Sequence, residues 1–96
     1  MTEYDREPYM LLFMAAIELA VNDAKDYLQK INYLDDDLPD PLLIENIDAR
    51  TAIQWMTSNS LEAGSYRWMC DMVQINYKQP IIAALKGKDN EQFIVE

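Results

Sequence analysis

Residues 9–21 read YMLLFMAAIELAV, and twelve of these thirteen side chains are apolar, the exception being Glu18. The run is too short to span a bilayer, which takes about 20 apolar residues in a row. No basic stretch precedes it of the kind that opens a secretory signal. It therefore reads as part of a helix that is greasy on every side, and such a helix needs cover on every side. Either it is the central post of a helical bundle, or its N-terminal half is shared with another molecule. The second alternative is the one expected, with a homodimer formed around Tyr9, Met10, Phe13, Met14 and Ile17. Beyond Val21 the pattern becomes one-sided. Ala24, Tyr27, Leu28 and Ile31 fall on one face, while Asn22, Asp23, Lys25, Asp26 and Gln29 can face water. The helix is expected to begin near Pro8, whose fixed φ suits a first turn, and to cover residues 8–32.

Outward from this helix, the composition bounds the rest. The chain has 96 residues, half of them hydrophobic, with only two glycines. That is enough for one modest core and too little for two, so a single helical domain over residues 1–96 is expected. One cysteine, Cys70, leaves no partner for a disulfide within the chain and fits a reducing compartment. A soluble, cytoplasmic protein without a membrane segment is the expectation.

Seventeen acids against eight bases give a net charge of −9, and the imbalance is local. Residues 1–50 hold twelve acids and four bases, while residues 51–96 hold five acids and four bases. Within residues 64–88, Asp71 stands alone against Arg67, Lys78, Lys86 and Lys88. A mildly basic segment thus sits in an acidic protein, and overall charge does not forbid a local cationic face at short range.

The stretch YLDDDLPDP, residues 33–41, crowds Asp35, Asp36 and Asp37 together, and Pro39 and Pro41 exclude helix across it. Its spacing is not that of a calcium loop, which alternates oxygen ligands around a central glycine. It reads as a solvated connector or as an acidic patch, Asp35, Asp36, Asp37, Asp40 and Glu45, offered to a protein with a basic surface. Asp40 can cap a short turn. Asp48 can cap a second helix over residues 48–58 that buries Ala52, Ile53 and Met56, with Trp55 at the edge of the core. Ser65 is placed to cap a third helix, 65–74. A fourth, 78–86, takes Pro80 in its first turn and Gly87 as its stop. The tail EQFIVE, residues 91–96, alternates in polarity and is expected to be short and extended or to dock Phe93 and Val95 on the bundle.

The expected fold class is therefore all-α, a small bundle of about four helices whose C-terminal half is helix-turn-helix-like. The seam for that half is present: Tyr66, Met69, Cys70 and Val73 on one helix, Ile75 in the turn, and Ile81 or Ile82 with Leu85 on the next. Residues 64–86 resemble the helix-turn-helix segments of small bacterial and phage proteins. These place an aromatic after serine, a cysteine four residues on, and isoleucine in the turn. The resemblance implies a dimeric transcriptional regulator, with Arg67, Lys78, Gln79, Lys86 and Lys88 meeting nucleic acid. Two features depart from it: Gln74 stands where many such turns carry glycine, and the final helix has little polar reach beyond Lys78, Gln79 and Lys86. Four cations are thin for phosphate anchoring, which gains from each counterion released. The expectation is that this segment serves mainly as core, with Arg67 and Trp68 at its edge.

Catalytic chemistry is poorly supplied. There is no histidine, the commonest general base. Cys70 lies on the apolar seam and reads as a structural thiol. Ser58, Ser60 and Ser65 lack a nucleophile elbow, and no glycine-rich phosphate loop is present. Neither an enzyme nor a cofactor is expected. The leading functional expectation is a protein-binding module. In size and charge the chain looks like phage or mobile-element accessory proteins that block host machinery, including machinery that handles nucleic acids. The alternative is the regulator, and the direction in which Arg67, Lys78, Lys86 and Lys88 point separates the two.

Overall fold

The computed structural model describes residues 3–86, with side chains from Tyr9 onward. It is all-α, and among the described residues there is no strand. Helix α1 runs Glu3–Lys30, followed by a single 3-10 turn Pro41–Leu43, then α2 Ile47–Met56, α3 Tyr66–Met72 and α4 Lys78–Lys86. At about 1.5 Å per residue, the 28 residues of α1 account for most of the 45 Å long dimension. Gly87, Lys88, Phe93 and Val95 lie outside the described residues, as does the expected extended tail.

Helix α1 is the central post. It packs against α2, α3 and α4, and α3 and α4 each meet α1 more extensively than they meet each other. The inward stripe follows helical spacing: Ile17, Ala20, Val21, Ala24 and Leu28 are buried, and Met10, Phe13 and Met14 pack half-buried against the same core. Ile44, Ala49, Ala52, Ile53, Met56, Tyr66, Cys70, Val73, Ile75 and Ala84 close around it. This alters the placement expected for self-association. Ile17 is completely buried, Met10, Phe13 and Met14 face the chain's own core, and only Tyr9 of the five is exposed. Besides Tyr9, the large apolar side chains that α1 leaves exposed among the described residues are Leu11, Leu12 and Leu19.

Helix ends differ from the sequence reading in instructive ways. Helix α1 extends N-terminally past Pro8 to Glu3, so the proline sits inside the opening turns and removes one backbone bond there. It stops at Lys30 rather than residue 32 because Asn32 is left-handed, with φ 57°. The Tyr33 N–H then bonds to the Leu28 carbonyl at 2.9 Å and the Asn32 N–H to the Gln29 carbonyl at 3.1 Å, the pattern of a Schellman stop. Ile31, expected on the inner face, is exposed as a result. Helix α2 starts at Ile47, capped by the Asn46 side chain, whose Oδ1 accepts from the Ala49 N–H at 2.9 Å. Asp48, expected as the cap, instead sits within the first turn, where its charge favours the helix dipole.

Helix α3 begins as expected on Ser65, whose Oγ accepts from the Trp68 N–H at 3.3 Å. It ends at Met72, short of residue 74, through a second Schellman stop. Gln74 has φ 62°, and the Ile75 N–H reaches the Cys70 carbonyl at 2.8 Å. Position 74 is therefore left-handed in this chain, held by a glutamine rather than a glycine. Pro80 lies in the first turn of α4, where its missing donor costs nothing.

Candidate functional site

The acidic connector is an ordered arch. Tyr33 donates its hydroxyl to the Asp37 carbonyl at 2.6 Å, and Asp40 Oδ1 caps the 3-10 turn by accepting from the Leu42 N–H at 3.0 Å. Ile44 is buried beyond the turn, and Arg50 Nε donates to its carbonyl at 2.8 Å, tying the arch to α2. On this frame Asp35, Asp36, Asp37, Asp40 and Glu45 are all exposed. Among the described residues no three carboxylates or thiols converge in a way that could hold a metal ion.

A second group of carboxylates lies on α1 and α2. Asp23 on α1 is half-buried, and its carboxyl is held above the ordinary carboxylate range by burial first, then by the charges of Asp48 and Asp26. Carboxylates of α1 and α2 thus share one field. The tyrosine at the base of the arch feels the arch's own carboxylates: Tyr33 is pushed up by burial, then by Asp35 and Asp37. Sequence reading missed this group because Asp48 lies on α2 and Asp23 and Asp26 on α1, and only the packing of α2 on α1 brings them together.

A second feature opens beside α3. A concavity of about 540 Å³ is lined by Leu61, Arg67, Trp68, Asp71, Ile75 and Tyr77, among others. Its walls are tied down. The Arg67 guanidinium stacks over the Tyr77 ring, 4.0 Å from the centroid. Trp68 meets Phe13 of α1 edge-on at 5.2 Å, and Trp55 packs edge-on against Tyr66 at 5.3 Å while its Nε1 donates to the Gly64 carbonyl. Tyr66 is fully buried and its hydroxyl donates to the Tyr77 carbonyl, clamping the start of α3 to the start of α4. Burial pushes the Tyr66 phenol far up, and burial likewise pushes up the Cys70 thiol, which its interaction with the Tyr66 side chain only partly offsets. A thiol held protonated in the core is a poor nucleophile.

The candidate nucleic-acid residues separate. Lys78 and Lys86 are exposed and, with Ile82, form the outward stripe of α4. Gln79 turns partly inward, and its buried Oε1 has no hydrogen-bond partner among the described residues. Arg67 is committed to Tyr77, and Lys88 lies outside the described residues. Two cations on one stripe, divided by an isoleucine, are what α4 offers outward. No helix of the described residues is long and apolar enough to cross a membrane. Set against known proteins, the chain matches no family model, no curated protein and no solved structure.

Proposed function

We propose that this protein is a small binding module that docks its acidic edge on a basic surface of another protein. The observation that carries the reading is the ordered arch of residues 33–46, which holds Asp35, Asp36, Asp37, Asp40 and Glu45 exposed. Like charges gathered on a fixed frame are destabilising by themselves and are relieved when a partner brings cations. A chain of this kind suits the work of a phage or mobile-element accessory protein that blocks a host protein handling nucleic acids, because carboxylates compete for the lysines and arginines that hold phosphate.

A second reading, a helix-turn-helix DNA-binding regulator acting as a dimer, draws on the exposed Lys78 and Lys86 stripe of α4. It is the weaker one, since Arg67 is stacked on Tyr77, Gln79 turns partly inward and phosphate binding strengthens with each added cation.

Co-purification from native lysate, with and without nuclease, tests the two. A partner retained after nuclease, lost on Asp35→Lys/Asp36→Lys/Asp37→Lys and kept by Lys78→Ala/Lys86→Ala, supports the module. Submicromolar, sequence-selective binding to duplex DNA that is lost with Lys78→Ala would replace it with the regulator.

A further inference from the structure

The acidic arch also carries apolar side chains that the fold leaves uncovered. Leu34 is 90% exposed, Leu42 79%, Leu43 77% and Ile47 72%, although Ile44 in their midst is buried. These four are interleaved in the chain with Asp35, Asp36, Asp37, Asp40, Glu45 and Asp48. Their positions are set by the same bonds that order the arch, and the 3-10 turn that bears Leu42 and Leu43 packs on α2, which begins with Ile47. A solubilising connector has no use for four large aliphatic side chains held in water. An ordered surface that offers both chemistries is preorganised for a partner that offers both complements.

We infer that the arch receives a basic amphipathic helix of a protein partner, its apolar stripe seated on Leu34, Leu42, Leu43 and Ile47 and its lysines or arginines on the surrounding carboxylates. This rests on the acidic-edge reading above and narrows it. A purely cationic groove of the kind that grips nucleic acid would match the carboxylates and leave the leucines unsatisfied. An anionic bilayer would match the leucines and be repelled by the carboxylates. A second copy of this chain is a poor occupant, because its own outward stripe on α4 supplies only Lys78, Ile82 and Lys86 and each copy carries a net charge of −9. A helix with cations flanking an apolar stripe satisfies both halves of the surface at once.

The test is titration of the full chain, at physiological salt, with two synthetic helical peptides of equal length and charge. One carries a leucine stripe flanked by lysines, and the other has alanine in place of each leucine. The leucine peptide should bind at least tenfold more tightly. Leu42→Ser/Leu43→Ser, at positions exposed enough to leave the fold intact, should bring it down to the affinity of the alanine peptide. Asp35→Asn/Asp36→Asn/Asp37→Asn should weaken both peptides. Equal affinity for the two peptides, with binding still dependent on the aspartates, overturns the amphipathic inference and leaves the acidic-edge reading standing. A leucine preference that survives Leu42→Ser/Leu43→Ser overturns it by placing the apolar contact elsewhere. Absence of binding to either peptide removes both readings. Sedimentation showing a dimer that Leu42→Ser/Leu43→Ser abolishes overturns it in favour of a second copy.

Discussion

The arch of residues 33–46 and the α3–turn–α4 segment both carry exposed charge, and both are shaped by turns rather than by long helices. They differ in what their polar groups are engaged with. In the arch, backbone carbonyls, one capping carboxylate and the Arg50 side chain do the structural work, and the other carboxylates are left facing water. In α3–turn–α4, the candidate recognition groups are divided: Arg67 stacks on Tyr77 and Gln79 turns partly inward, while Lys78 and Lys86 face water. A local charge count cannot distinguish these situations. What separates them is whether the side chain already has a partner in its own fold.

The largest effect expected on the core-engaged side is at Tyr66. Tyr66→Ala removes a completely buried ring and should cost about 3–5 kcal/mol, enough to unfold much of a small domain, whereas Tyr66→Phe keeps the ring and loses only the hydroxyl clamp, about 1–2 kcal/mol. Chemical denaturation followed by circular dichroism reads both, and equal losses would mean that the clamp rather than the packing holds α3. Next comes the division of α1 into two faces. Phe13→Asp breaks the contact with Trp68 and sets a charge against the core, costing about 2–3 kcal/mol. Leu12→Asp, on the exposed side, should stay within about 0.5 kcal/mol. If the chain self-associates through α1, Leu12→Asp with Leu19→Asp should shift its sedimentation towards monomer without loss of helicity.

Smaller, and opposite in sign, is the effect at the left-handed stops. Gln74→Gly relieves a conformation that costs an L-residue about 1–2 kcal/mol, less the extra chain entropy of glycine, for a net gain of about 0.5 kcal/mol. Asn32→Gly should gain less, because asparagine tolerates the left-handed region better. A loss of stability at Gln74→Gly would show that the glutamine side chain contributes a contact that outweighs the backbone term.

The smallest effect belongs to the acidic surface. The Asp23 carboxyl binds its proton more tightly in the folded chain than in the unfolded one. Its contribution is therefore unfavourable above the carboxylate range and fades as pH falls through it. Asp23→Asn should raise the melting temperature slightly at neutral pH and bring no gain at about pH 3, where an unperturbed aspartate is already mostly protonated. A gain that persists in acid would trace to packing rather than to the shared field with Asp48 and Asp26.

Fold class and helix number were legible from the sequence because they depend on local periodicity. The apolar spacing around Ala52, Ile53 and Met56, the Ser65 cap, the Asp40 cap and the place of Pro80 all rest on interactions within a few residues of chain, and each stands as expected in the structure. Local choices between near-equivalent residues were harder: Asn46 and Asp48 are both good caps, and the one whose oxygen meets the N–H two or three residues inside the helix is set by where the arch delivers the chain. Tertiary structure alone decided the face of α1. A run apolar all round has no pattern to say which side is inward, so Ile17 and Leu19 look alike until α2, α3 and α4 close over one of them. It also decided which charges are free. Arg67 meets Tyr77 across ten residues of chain, and Asp23 meets Asp48 across two helices. Such meetings are products of packing, and periodicity carries no information about them.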